Sequence, residues 1–484
     1  MFLMNLSLLC ETVTGTTTAE LVAARDAATR ADMVELRVDG VADPDIARAL
    51  HRRRVPVIVT CRPRWEGGRF DGSEDERRRL LTSALESGAE YVDIEWRAEF
   101  ADLIRAYPRR VLVSSHDFAG VPDDLCGRAR AMRATGAEVI KVAITAARLS
   151  DTLSLLEIAK GGDTVVIGMG DAGMPSRLLA ARFGSRWTYS GNGVAPGQVP
   201  TEVMLDRFRF RDVSADAVVY GVVGDNVMHS LSPVMHNAAF AASGIDAVYV
   251  PLRAADFDDF LTFADGLGVA GVSVTIPFKH DALRAARSAD ALTRQVGAAN
   301  TLRGHSGVWE ATNSDVDGFL EPLDAAVGRH SLDGMRASVL GAGGAARAVI
   351  VALLSRGAVV TVHARRSERA SEVAASLGAD VGPWPPLAGS WDLLVNCTPL
   401  GSASAPAASP LPSGPFDGRA VYDLTYGREV SALVRDAMRA GCVTLDGLPM
   451  LVAQAERQFE WWTGQRAPAG VMKAAALRDR AGKN

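Results

Sequence analysis

From its start to residue 212 the sequence alternates short β-branched runs with stretches of helical periodicity: LSLLCE, MVELRVD, VPVIVTCR, YVDIEW, RVLVSSHD, VIKVAIT, TVVIGMG and RWTYSG. Eight such βα units in so short a span are the content of a (β/α)8 barrel. The first strand is expected over residues 4–11. Side chains alternate faces along a strand, so each run can be sorted into two faces. One face is apolar: Val34, Leu36, Val38; Val57, Val59, Cys61; Val92, Ile94, Trp96; Ile140, Val142, Ile144. The other carries Glu35, Arg37 and Asp39; Thr60 and Arg62; Asp93 and Glu95; Ser114 and His116; and Lys141. In a barrel the apolar face packs on the helices and the other points inward, where a purely structural core prefers Val, Ile and Leu. So many ionisable inward groups predict a site inside the barrel.

The remaining length calls for further domains, since 484 residues exceed one ordinary core. After RFRFRD and the polar SADA the pattern restarts with AVVYGVVGD, which predicts a domain over 1–212 and a boundary before 218. A mixed α/β segment follows over 218–330. At RASVLGAGGAARAVIVALLSRGAVVTVHARR a strand, a glycine turn, a helix and a second strand open a βαβ nucleotide-binding unit, expected over 331–445. The Ser-, Pro- and Ala-rich stretch 401–418 predicts a loop. The basic runs at 52–54 and 77–79 are expected to be solvated helix faces. A net charge of -5 gives no field to attract nucleic acid or an anionic membrane, and no apolar stretch reaches membrane-spanning length. The five cysteines are scattered singly with no C-x-x-C pair, which argues against a disulfide framework or a zinc site and favours a reducing cytoplasm.

A lysine in the middle of an apolar run such as VIKVAIT must bury its ammonium or lose it, and burial drives an amine toward its nucleophilic form. A structural pairing of Lys141 with an inward carboxylate is an equal alternative on this run alone. His116 in SSHDF shifts the balance, because it supplies a general acid–base group beside Lys141 on the preceding strand. The segments ADMVELRVD, VIVTCRPRWEGGRF, YVDIEW, SSHDF, EVIKVAIT, GMGDAGMPSRLLAARFGS and APGQ, in this order, resemble type I 3-dehydroquinate dehydratase over nearly all of residues 5–210. The resemblance implies that Lys141 forms an imine with the substrate's ring ketone and that His116 removes the neighbouring proton and returns one to the departing hydroxyl. It implies further that Glu35 orients and polarises His116, that Arg177, Arg37 and Arg62 hold the substrate's carboxylate and hydroxyls, and that Gln198 caps the pocket from a closing loop. Val194 stands where the family often has serine, so weaker closure of that loop is expected. A class I aldolase-like barrel also uses an imine lysine, but the contexts of His116 and Arg177 favour dehydration.

In GVVGDNVMHSLSPVMHNAAF, Ser230 and Ser232 precede Pro233 at the expected first turn of a helix, where simple capping is the commoner role. GVSVTIPFKHDAL places Thr275 and Lys279 on a strand-to-turn element, and QVGAANTL and ATNSDVDGF supply Asn300 and Asp315. Together these segments resemble shikimate dehydrogenase from 218 to about 475. The resemblance implies that Lys279 and Asp315 act at the reacting oxygen. Ser230, Ser232, Thr275, Asn300, Tyr426 and Gln454 would ring the substrate, and residues 446–484 would complete the domain begun at 218. The turn Gly341-Ala342-Gly343-Gly344-Ala345-Ala346 is a G-x-G-x-x-A variant suited to pyrophosphate at a helix N-terminus. HARRSERA follows the next strand with no acidic residue to accept bonds from a ribose hydroxyl, so Arg365 and Arg366 favour the 2′-phosphate of NADP. Asn396 and Thr398 in NCTPLG are expected to contact the cofactor's ribose side, and Gly447 its nicotinamide side.

The whole chain resembles plant-type fusions of these two enzymes, in that domain order. This implies consecutive steps on small molecules, with no metal, and leaves the oligomeric state open. A non-catalytic regulator built from the same modules, or a fusion with one active half, are the alternatives; retention of Glu35, His116, Lys141, Lys279 and Asp315 argues against both.

Overall fold

In the computed structural model, which describes residues 7–305, 307–402, 405–412, 414–427 and 429–481, each of the eight N-terminal runs forms a strand. These are β1 Leu8–Thr14, β2 Met33–Arg37, β3 Val57–Thr60, β4 Tyr91–Glu95, β5 Val111–Asp117, β6 Val139–Thr145, β7 Thr164–Met169 and β8 Trp187–Ser190. The expected first strand falls partly outside the described residues. It also extends past residue 11, because Thr12, Val13 and Thr14 stay in parallel register with β2. The strands follow the order β7-β6-β5-β4-β3-β2-β1-β8, an all-parallel, nearly closed barrel.

The inward face is layered rather than polar throughout. Met33, Ile58, Leu112 and Val139 each precede a polar inward residue by two positions, and all four join Cys10, Val165 and Trp187 in one buried apolar cluster. Apolar side chains therefore fill the N-terminal half of the barrel, and the ionisable groups gather at the strands' C-terminal ends. Parallel strands bring all those ends to one side, where barrel enzymes build their sites.

One sequence expectation fails on the outside of the barrel. Arg77, on the helix Glu74–Glu86, is fully buried with Leu81, Ala84 and Leu85 rather than solvated. Those four positions form one helical stripe at i, i+4, i+7 and i+8, so the residue that begins the stripe faces inward with the rest.

By the density of its contacts the chain divides into two compact units: residues 1–219 with 246–268, and residues 220–245 with 269–484. The segment 246–268 groups with the first unit. There the carboxylate of Asp259 accepts from the backbone N–H groups of Leu149 and Ser150 at 3.0 and 2.9 Å, and Arg148 pairs with Asp256 at 2.9 Å. After the barrel come β9 Val218–Gly224, β10 Ala247–Arg253, β11 Val269–Val274, β12 Ser288–Ala289, β13 Thr301–His305 and β14 Val308–Thr312, in the sheet order β10-β9-β11-β13-β14-β12. A third sheet has the order β17-β16-β15-β18-β19-β20, built from β15 Arg336–Leu340, β16 Val359–His363, β17 Asp380–Val381, β18 Leu393–Asn396, β19 Ala420–Asp423 and β20 Val443–Leu445. Its described pairs are all parallel, as a doubly wound nucleotide-binding sheet requires. The late helix Gly447–Thr463 packs on the earlier sheet: Gln458 donates to Thr301 Oγ1 at 2.9 Å and Trp462 to the Leu302 carbonyl at 3.0 Å. Among the described residues no helix is long and apolar enough to cross a membrane.

Candidate active sites

In the first unit the C-terminal ends of the barrel strands open into a cleft of about 690 Å³, within the range of small-molecule sites. Lys141 projects into it from β6, with Nζ 3.4 Å from Asp93 Oδ2, 3.6 Å from Glu35 Oε1 and 4.0 Å from the centre of the Tyr189 ring. Thr12 and Thr60 hold the two oxygens of Glu35 at 3.1 and 2.8 Å. Burial alone would raise the pKa of Glu35, but Lys141 and Arg37 outweigh it and hold the carboxyl below its ordinary value. Burial likewise opposes ionisation of Asp93, and Arg62 followed by Lys141 overcomes it, so Asp93 is held well down.

His116 lines the same cleft, but its partner is not Glu35, as expected; it is Glu66. The Glu66 carboxylate accepts from the His116 backbone N–H at 2.7 Å and lies 3.3 Å from Nδ1. Glu35 is taken up by its threonines and Lys141. Glu66 ends the short turn Arg64–Glu66, which Gly67 closes at φ +77°; a Cβ on Gly67 would stand 2.6 Å from the Phe118 ring, and one on Gly68 2.0 Å from the Arg62 carbonyl. Both glycines are therefore needed to tuck this carboxylate under the histidine. The signal was present in the run EGG, a carboxylate ahead of two small residues. Burial, and then Arg62, push His116 down to about 4, so the ring is a neutral base at ordinary pH.

Arg177, on the helix Met174–Leu178, is 1% exposed and faces no carboxylate. Its hydrogen bonds go to the carbonyls of Tyr189 at 3.5 Å and Pro196 at 3.2 Å, and its Nε has no partner. Burial pulls this guanidinium down to about 10, and an uncompensated buried cation on the wall of a cleft is suited to a carboxylate ligand. Arg37 pairs with Asp39 at 2.8 Å and Arg62 with Asp93 at 2.6 Å, and both line the cleft. Gln198 accepts from the backbone N–H groups of Val194 and Ala195 at 2.9 and 3.1 Å, and donates to Thr12 at 3.1 Å. Val194 thus tethers the loop through its main chain.

In the second unit a larger cleft of about 1430 Å³ gathers Ser230, Ser232, Thr275, Lys279, Asn300, Asp315, Ala345, Thr398, Tyr426, Gly447 and Gln454. Lys279 opens the helix Lys279–Ala285, where a cation is disfavoured, and its ammonium is in close contact with Asp315 Oδ2. Asp315 opens the helix Asp315–Val327, where a carboxylate is favoured, and Asn300 donates to its other oxygen at 2.8 Å. Asn300 is itself fixed by Ser314, whose backbone N–H donates to it at 2.8 Å, and by Thr301 at 2.8 Å. Ser230 Oγ accepts from the Ser232 backbone N–H at 3.1 Å, a capping contact beside the cleft.

The turn after β15 fits a dinucleotide. Gly341 has φ +113°, a region reserved in practice for glycine, and a Cβ on Gly343 would meet nothing within 4 Å, so the backbone there is open to a ligand. The helix Gly344–Leu354 then presents its N-terminus. Arg365 and Arg366 follow β16 and are exposed. Asn396 departs from expectation. It is fully buried, donating to the Leu400 carbonyl at 3.0 Å and Asp423 at 2.9 Å and accepting from the Thr398 hydroxyl at 2.7 Å. It braces the Thr398 loop from behind instead of facing the cleft. Gly447 is sterically required, because a Cβ there would lie 2.1 Å from the Leu424 carbonyl oxygen.

Comparison with known proteins follows the same division. The type I 3-dehydroquinase family matches residues 9–215, the shikimate dehydrogenase substrate binding domain 222–302, and the shikimate 5'-dehydrogenase C-terminal domain 447–477. The bifunctional 3-dehydroquinate dehydratase/shikimate dehydrogenase of Arabidopsis thaliana, named as chloroplastic, is 33% identical over 90% of this chain and 78% of its own length. The NADP(+) shikimate dehydrogenase of Halobacterium salinarum is 40% identical over 54% of this chain and 99% of its own. Among solved structures, a shikimate dehydrogenase in complex with NADP+ is similar at 29% identity and TM-score 0.51, covering 55% of this chain and 97% of that one. The Aquifex aeolicus shikimate dehydrogenase is similar at 31% identity and TM-score 0.50, covering 54% of this chain and 98% of that one. With a dehydratase barrel at its N-terminal end and a reductase after it, the chain belongs to the family of bifunctional 3-dehydroquinate dehydratase/shikimate dehydrogenases.

Proposed function

We propose that residues 1–212 dehydrate 3-dehydroquinate to 3-dehydroshikimate through an imine on Lys141. Residues 218–330 with 446–484 then bind the product, and residues 331–445 bind the NADPH that reduces it to shikimate. The observation that carries the first half is the pairing of a buried lysine and a neutral histidine opposite an uncompensated guanidinium, Arg177. Attack of the Lys141 amine on the ring ketone releases a proton, for which Asp93 and Glu35 stand within reach at 3.4 and 3.6 Å. Loss of water gives the imine. His116, with Nδ1 toward Glu66, uses its other nitrogen to take the proton from the adjacent carbon, and the electron pair flows into the imine. The β-hydroxyl leaves as water with a proton from His116, and hydrolysis of the imine restores Lys141.

In the second half the close Lys279–Asp315 contact, steadied by Asn300, carries the reading. The nicotinamide cofactor supplies hydride when bound. The turn at Gly341–Gly344 would hold its pyrophosphate, Arg365 and Arg366 its 2′-phosphate, and Gly447 leaves room on the nicotinamide side. Lys279 delivers a proton to the reacting oxygen and Asp315 keeps the ammonium aimed there. Ser230, Ser232, Thr275, Tyr426 and Gln454 supply hydrogen bonds to the ring substituents. Small metabolites are thus the partners, with no nucleic acid or membrane, and the scattered cysteines favour a cytoplasmic setting. The test is to supply the full chain with 3-dehydroquinate alone and with 3-dehydroshikimate plus NADPH. Failure of either conversion removes the corresponding half of the reading.

A further inference from the structure

Arg77 is 0% exposed, yet it sits on an outer helix of the barrel and lines no cleft. Its guanidinium contacts Glu95 closely through Nη1 and pairs with Glu74 at 2.6 Å through Nη2. The rings of Phe100 and Trp65, 4.6 and 6.0 Å away, lie against it. Glu95, also fully buried, uses its other oxygen to accept from Arg62 Nη1 at 2.7 Å. Arg62 in turn donates to Asp93 at 2.6 Å and to Ser114 at 2.8 Å, and Ser114 donates to Asp93 at 2.5 Å. A file of alternating charges therefore runs from the outer helix to the cleft: Arg77, Glu95, Arg62, Asp93, Lys141.

A buried ion pair is weak grounds for stability, since apolar side chains of similar size often serve as well. Its geometric effect is stronger. A planar guanidinium gripped along one edge by two carboxylates cannot swing, and of its five N–H groups the remainder are left for a ligand. Glu95 can grip Arg62 only while it is ionised and fixed, and in the apolar wall behind β4 Arg77 is the cation that keeps it so.

We propose that Arg77 is a positioning residue for the dehydration site, acting through Glu95 to fix Arg62 in the substrate cleft. This rests on the reading of Arg62 as a substrate-binding group. It predicts that Arg77→Met raises KM for 3-dehydroquinate about tenfold or more, the factor expected for one lost charge-assisted hydrogen bond, while kcat falls much less. Arg77→Lys should recover part of the loss. Glu95→Gln, isosteric and uncharged, should reproduce the KM effect with Arg77 in place, which keeps the test open if Arg77→Met does not fold. Arg78→Met, one residue along and paired with Asp102 at the surface, is the control. Reduction of 3-dehydroshikimate by the same full chains should stay within about twofold, as expected for distant sites. A wild-type chain that does not dehydrate 3-dehydroquinate would sink the underlying reading. An active wild type whose KM is unmoved by Glu95→Gln or by a folded Arg77→Met would sink the inference alone, as would equal losses in both reactions.

Discussion

At the scale of single residues, the barrel chemistry depends on a lysine held 3.4 and 3.6 Å from two carboxylates and a histidine held by a third. Borohydride reduction in the presence of 3-dehydroquinate should fix the ligand's mass on the peptide containing Lys141, read by mass spectrometry. His116→Ala should still trap the adduct yet turn over roughly 10²- to 10⁴-fold more slowly. A variant that turns over normally would remove His116 from the mechanism. The pH profile follows from its environment. Because burial and Arg62 push His116 down to about 4, the neutral base persists below the usual histidine range, and kcat/KM for dehydration should show no fall near the ordinary value of about 6.5. Its acid limb should come as the pH approaches about 4. Glu66 works in the opposite direction, raising that pKa, so Glu66→Gln should shift the limb lower while reducing kcat by about tenfold or more. A limb that moves upward would contradict the Glu66–His116 pairing. Lys141 and His116 were legible from sequence because each is a polar interruption on a definable face. The pairing was not, because Glu66 lies outside any strand, 50 residues before His116, where face alternation says nothing.

At the scale of elements, the period-two pattern located all eight barrel strands, and the chain's polarity placed their inward faces correctly. It could not show that only the C-terminal half of that face is polar, because alternation fixes the side of a strand and not the depth. Arg77 was hidden for a related reason: three consecutive arginines look solvated as a run, while the stripe through Leu81, Ala84 and Leu85 selects one of them. In the second unit, the strand–turn–helix around Gly341 was readable in full, helix start at Gly344 included. Asn396 was misread because a polar residue at a strand end can face a ligand or hold its own loop, and only tertiary contacts decide. The exposed arginines after β16 carry a prediction of cofactor choice. NADPH should be preferred over NADH in catalytic efficiency, and replacing both Arg365 and Arg366 with alanine should cut that preference by about tenfold or more, chiefly by raising KM for NADPH. A preference for NADH in the unaltered protein would show them to be ordinary surface charges.

At the scale of the whole molecule, every residue lining the barrel cleft belongs to one compact unit and every residue lining the larger cleft to the other. The two chemistries are accordingly expected to be separable. Lys141→Ala should abolish dehydration and leave reduction of supplied 3-dehydroshikimate nearly intact, and Lys279→Ala should do the reverse, both measured in proteins shown by thermal melting to be folded. A folded Lys141→Ala chain that also loses reductase activity would mean that the barrel helps to build or regulate the second site. The buried Arg177 adds a consequence for the protein before any reaction begins. A guanidinium taken out of water without an anion leaves the empty barrel short of one counter-ion, and the carboxylate of the ligand is the group that supplies it. Recognition and folding then draw on the same free energy. The arginine that makes the vacant protein harder to fold is the one that makes it close around an acid rather than around a neutral sugar of the same size.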